Sequence, residues 1–175
     1  DKQFNRMQMS GASRIGFGAT DRFLFASRLR FGATLGASGD SLPATERFFS
    51  GGGGSVRGYA YQEAGPIDTE TGNATGGASV SELNLEARYH VTEKIQIALF
   101  ADGGSVYESE TPDFTGDFLV GAGIGVRYLT PVGPIRLDVA TPLDRREISA
   151  LRPNENGDLE LQTIFEDDPV HIYIA

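Results

Sequence analysis

Alternation of apolar and polar residues, run after run, constrains this chain more than any other feature. From Val80 to Tyr89 the apolar positions Leu83, Leu85, Ala87 and Tyr89 interleave with Glu82, Asn84, Glu86 and Arg88. The next run sets Ile95, Ile97, Leu99 and Ala101 against Gln96, Ala98, Phe100 and Asp102. Between Phe118 and Tyr128, the set Phe118, Val120, Ala122, Ile124, Val126 and Tyr128 opposes Gly121, Gly123, Gly125 and Arg127. Ile135, Leu137 and Val139 then alternate with Arg136 and Asp138. Upstream, Phe23, Phe25, Leu29, Phe31 and Leu35 alternate with Arg28, Arg30 and Thr34, and a weaker run over 5–18 places Met7, Met9, Ile15 and Phe17 together. Successive side chains of a strand point to opposite faces, so each run has one apolar and one polar face. With the terminal run VHIYIA, the pattern predicts an all-β chain of about seven strands in antiparallel hairpins.

The connections are unequal. Residues 38–78, 106–117 and 144–169 are long, whereas 19–21, 92–94 and 131–134 are short. Long connections at one end and short turns at the other are the asymmetry of an outer-membrane barrel. Residues 144–169 are polar, rich in Asp, Glu, Asn and Arg, and read as a mobile loop. Phe23, Phe25, Tyr89, Tyr107, Phe118 and Tyr128 fall near strand ends, where an aromatic girdle belongs. Mean hydropathy is only -0.22. That value fits a transmembrane barrel, because lumen-facing polar residues offset the lipid-facing ones. No apolar run approaches the roughly 20 residues of a membrane helix. A formal charge of -9 argues against nucleic acid as a partner. Absence of cysteine fits a compartment in which stray disulfides are a hazard. The opening Asp1-Lys2-Gln3-Phe4 reads as the middle of a longer chain, and a fragment is expected.

One stretch breaks the rhythm: RFFSGGGGSVRGYAYQ, Arg47 to Gln62. Taken alone, it reads as a flexible surface loop with a solvated Arg57, and four glycines before a serine also resemble an engineered linker. It is not a phosphate-binding loop, since no lysine follows and no helix begins. Ser55 has no histidine partner in the sequence pattern, so no catalytic residue is assigned and the chain is read as non-enzymatic. His90 and His171 are isolated, and no metal or other cofactor is expected. The acidic loop residues Glu108, Glu110, Asp113 and Asp117 read as solvated rather than as a calcium site.

The same stretch resembles the lid-loop motif of the bacterial outer-membrane assembly-factor superfamily, the BamA/TamA-like surface-antigen barrels. Two further passages agree: LFADGG, Leu99 to Gly104, and GIGVRYLTPVGPIRLDVATPL, Gly123 to Leu143. Within the superfamily, PVGPIRLDVATPL is most similar to TamA-like members. The resemblance implies a transmembrane antiparallel β-barrel of sixteen strands preceded by POTRA domains. This chain would supply the C-terminal half, with about seven or eight strands, a lid loop over 38–78 and no POTRA domain. It also implies non-enzymatic assembly or translocation of β-barrel and autotransporter proteins in the bacterial outer membrane. A two-partner-secretion transporter or a porin-like pore is the alternative. Implied partners are outer-membrane lipid and lipopolysaccharide, unfolded outer-membrane protein substrates, the POTRA domains and N-terminal half of the same barrel, and a periplasm-spanning protein. In such a barrel the lid folds inward. Val56, Arg57, Gly58 and Tyr59 form its motif, and Glu86, Phe100, Asp102 and Arg127 are the expected anchors on the inner wall. Residue chemistry permits this: a guanidinium fork suits carboxylates in a confined lumen, Gly58 allows close approach, and Tyr59 is expected to stack on Phe100. Inner glycines 121, 123 and 125 would leave room for the loop.

Overall fold

The computed structural model describes residues 3–18, 22–114, 118–153 and 158–175. The short joint 19–21 and Asp117 lie outside the described residues. Nine strands follow in order: β1 (Asn5–Phe17), β2 (Phe23–Leu35), β3 (Ser79–His90), β4 (Ile95–Tyr107), β5 (Leu119–Thr130), β6 (Gly133–Pro142), β7 (Glu147–Pro153), β8 (Leu159–Glu166) and β9 (His171–Ile174). Seven of them form one antiparallel sheet in the order β1-β2-β3-β4-β5-β6-β9.

Register turns the alternation of each strand into rows across the sheet. Ala87, Leu99, Ile124, Val139 and Ile172 are successive partners on one face. Leu99 and Ile124 are each 59% exposed and Ile172 66%. A neighbouring row joins Tyr89, Ile97, Val126, Leu137 and Ile174. Contiguous apolar rows of this extent are unstable against water and suit hydrocarbon. On the opposite face Ala98, Phe100, Asp102, Arg127 and Asp138 are buried, and the β2–β3 connection meets Phe100, Asp102 and Asp138 through Arg57. The core therefore lies between the polar inner face and a loop, not between two apolar layers.

Two sequence expectations change. The stretch 144–169, read as a mobile loop, holds two strands among its described residues: β7 and β8 pair antiparallel with a register shift at Ile148/Ser149. Its strands are short and charge-rich, and the shift breaks the alternation that would have revealed them. Tyr107 is not at an aromatic rim. It is buried, with its hydroxyl 3.0 Å from that of Ser81 and its ring against Phe114. Phe23 and Tyr89 do sit together at the opposite, short-turn end, with ring centroids 4.8 Å apart.

Candidate functional site in the lumen

The connection from β2 to β3 runs back along the inner face. Phe48 bridges Gly77 at its base, and Ala64 N donates to Ser50 O at 2.9 Å, pinching residues 50–64 into a closed lobe. The lobe needs glycine where it turns. Gly51 and Gly52 have φ of +109° and +94°, and a side chain on Gly51 would strike Ala60 O and the Ala64 amide. Glycine alone adopts that geometry without strain. On either side of the turn, the hydroxyls of Ser50 and Ser55 donate to Glu82 on β3. Glu82 is 1% exposed and also accepts from Arg30 of β2 at 2.9 Å.

Beyond the turn, Val56 enters an apolar cluster with Tyr59, Ala64 and Leu119, and Arg57 points into the wall. Its Nε and Nη2 donate to the two oxygens of Asp102 on β4, at 2.6 and 3.1 Å. Its backbone N–H adds a third bond to Asp102, at 3.1 Å. Nη1 donates to Glu86 of β3 at 2.8 Å and to Asp138 of β6 at 3.1 Å. The guanidinium lies over the Phe100 ring, 3.5 Å from its centroid. Arg127 of β5 closes the network, donating to Asp138 and to both oxygens of Glu86. Arg88 donates to Glu86 from the open side. Three arginines, 57, 88 and 127, thus balance three carboxylates, 86, 102 and 138. Burial works against the charge of Arg57, but Asp102 and Glu86 more than offset it and raise its pKa above the ordinary arginine value. A charge-balanced, hydrogen-bonded buried network holds geometry firmly, and loss of one member leaves an uncompensated charge.

Close approach is built in on both sides. Gly58 has φ of +106°, and a Cβ there would come within 3.0 Å of Gly121 Cα. Conversely, a Cβ on Gly121 would run into the Arg57 carbonyl. Of the three inner glycines, only Gly121 makes room for the loop. Gly123 makes room for the Phe100 ring, and Gly125 for the side chains of Asp138 and Arg127.

All four motif residues and all four expected wall residues therefore lie in one region, with one rearrangement. Arg57, not Tyr59, occupies the Phe100 ring. Tyr59 packs in the apolar cluster, its hydroxyl 3.1 Å from Asp144 O and 3.3 Å from Val120 O. Burial, helped by the charge of Asp167, pushes its pKa up to about 12. Sequence reasoning missed Asp138, although it stands on the inner face of β6. The register that pairs Asp138 with Gly125 was the absent information. It also missed Glu82, Arg146 and Tyr173, whose roles depend on loop placement. His90 faces Gln96 at 2.6 Å and His171 stacks on Tyr173. Glu110 accepts from the Gly36 amide. Among the described residues, no group of three or more His, Asp or Glu side chains is arranged to hold a metal ion.

The fold of this chain matches a known architecture. The crystal structure of BamA from Haemophilus ducreyi lacking POTRA domains 1–3 superposes with a TM-score of 0.66 at 17% identity, over 100% of this chain and 36% of that one. BamA of Nitratidesulfovibrio vulgaris is 32% identical over 120 residues, 67% of this chain and 15% of that protein. BamA of Neisseria meningitidis is 28% identical over 155 residues, 67% of this chain and 19% of that protein. A SAM50-like protein of Schizosaccharomyces pombe is 22% identical over 157 residues, 84% of this chain and 33% of its own. The chain therefore spans between 15% and 36% of the length of these proteins. Since residues 1–150 match the Omp85 superfamily domain, and the fold agrees, the chain belongs to the Omp85 superfamily.

Proposed function

We propose that this chain is the C-terminal part of the barrel of an outer-membrane protein assembly factor. Its place is the bacterial outer membrane, and it works without covalent chemistry. The relatives named outer membrane protein assembly factor support this reading. The observation that carries the site assignment is Arg57, a loop arginine 5% exposed that donates to carboxylates on three strands. Residues 38–78 act as a lid, and the charge network holds the lid against the wall. So held, the lid keeps the barrel in the conformation that accepts substrates, unfolded outer-membrane proteins whose strands add to an open sheet edge.

Charge exchange in cells that depend on the protein tests it. Arg57→Glu should cripple assembly of other barrels, and adding Asp102→Arg should restore part of it. Full assembly by Arg57→Glu would remove the site assignment. A secretion transporter or simple pore predicts a different result: deletion of residues 50–64 would open a large steady conductance while barrel assembly in the cell continued normally.

A further inference from the structure

We infer that the segment after β6 is a clasp that closes over the lid, through Tyr173 and Arg146, so that seating of β9 and seating of the lid are one cooperative event. The inference rests on reading residues 38–78 as a lid. Tyr173 lies opposite Asp138 in the β6–β9 ladder, on the inner face. Its hydroxyl donates to Tyr59 O at 2.8 Å and accepts from the Gly58 N–H at 3.2 Å. One phenol thereby satisfies the lid backbone on both sides of the motif glycine. Its ring also covers the turn, since a Cβ on Gly53 would come within 3.0 Å of it.

Arg146 grips the other limb of the lobe. Its Nη1 donates to Gly65 O at 2.8 Å and its Nη2 to Glu63 O at 2.6 Å. The same guanidinium forks onto Asp167, with Nε to Oδ2 at 2.9 Å and Nη2 to Oδ1 at 2.8 Å. Asp167 is 2% exposed and also accepts from the Arg146 backbone N–H. Arg146 and Asp167 stand at the two feet of the β7–β8 hairpin, so their pair closes the hairpin as the fork holds the lid. The guanidinium lies 5.4 Å from the Tyr59 ring centroid and 5.2 Å from that of Phe165, filling the space between them.

The geometry separates two kinds of attachment. The Arg57 network bonds one lid residue, through its guanidinium and its backbone N–H, to β3, β4 and β6. The clasp bonds the lid backbone, at Gly58, Tyr59, Glu63 and Gly65, to residues that all follow β6. A lid drawn from the lumen would leave the Tyr173 hydroxyl and the Arg146 fork without these partners, and a displaced β9 would strip two bonds from the motif. Groups fixed by bonds to each other lose protection together.

Amide hydrogen exchange on the full-length protein in lipid nanodiscs tests this. Tyr173→Phe removes only the hydroxyl. It should speed exchange at least about fivefold both in residues 171–174 and in residues 56–60, the effect expected for two lost hydrogen bonds, while residues 95–101 stay unchanged. Arg146→Lys keeps the charge but loses the fork, and should speed exchange at 63–65 and in the lid turn likewise. Heat-modifiable migration on gels checks that each variant is a folded barrel. Should Tyr173→Phe fail to fold, Arg146→Lys decides alone. Faster exchange confined to 171–174 in the first variant, or to 146–167 in the second, would overturn the coupling. Exchange is read on the purified protein, so a protein that assembled no other barrels would still give a result here, and failure of the functional reading is seen separately in the cell assay.

Discussion

At the scale of single residues, Arg57 is a buried cation whose three guanidinium nitrogens each meet a carboxylate. Breaking a buried ion pair by removing one partner costs about 3–5 kcal/mol, because the other charge is left stranded. Arg57→Ala should therefore destabilise the folded barrel by roughly that amount in urea-unfolding titrations in lipid vesicles. Arg57→Lys retains the charge but cannot meet both oxygens of Asp102 while lying flat on Phe100. It should fall between wild type and alanine. Gly121→Ala provides an independent check, since its methyl would occupy the position of the Arg57 carbonyl. The same titration should place it close to Arg57→Ala, although no charge has changed. The phenol of Tyr59 has a pH signature. Its folded pKa is raised to about 12 from an ordinary value near 10. The stability it contributes is thus fully present below about pH 10 and is lost as pH rises through the folded value. Tyr59→Phe should flatten the alkaline limb of the stability curve over that window.

At the scale of elements, what the sequence disclosed was what strand periodicity controls. Alternation in β3, β4, β5 and β6 assigned each side chain to a face, and the structure agrees from Leu83 to Val139. That was enough to put Glu86, Asp102 and Arg127 on the lumen side. Alternation cannot say which residues on neighbouring strands stand opposite each other. Asp138 was legible as inward but not as a partner of Arg57, because that depends on the β5–β6 register. The β7–β8 hairpin was illegible for another reason: its bulge resets the period, and its strands pair only with each other. Glu82 was visible on the inner face, but its partners Ser50 and Ser55 come from a loop whose path no local pattern encodes. That pairing has its own consequence. Glu82→Gln removes the charge shared by Arg30 and the two serine hydroxyls, with an expected cost of about 2 kcal/mol. It should loosen the glycine turn while the Arg57 network stays intact, as read by proteolysis within residues 50–55.

At the scale of the whole molecule, the sheet is organised inside out relative to a soluble domain. Most of its large apolar side chains are exposed, and its buried face carries arginines, carboxylates and glycines beside Phe100 and Tyr107. Such a sheet suits a bilayer outside, and inside it the β2–β3 connection packs against the polar face. Leu99 lies in the apolar row near the middle of the outward face. Leu99→Arg should cost roughly 2–4 kcal/mol in a bilayer, measured by unfolding in lipid vesicles. In the proposed function, the charge of Arg57 holds the VRGY motif against the inner wall. Val56 reports on it directly, being fully buried beside Arg57 in a chain that has no cysteine of its own. A cysteine at Val56 should resist a membrane-impermeant maleimide while Arg57 is present and should label readily once Arg57→Glu is added. Rapid labelling with Arg57 intact, or equal protection in both backgrounds, would contradict the account.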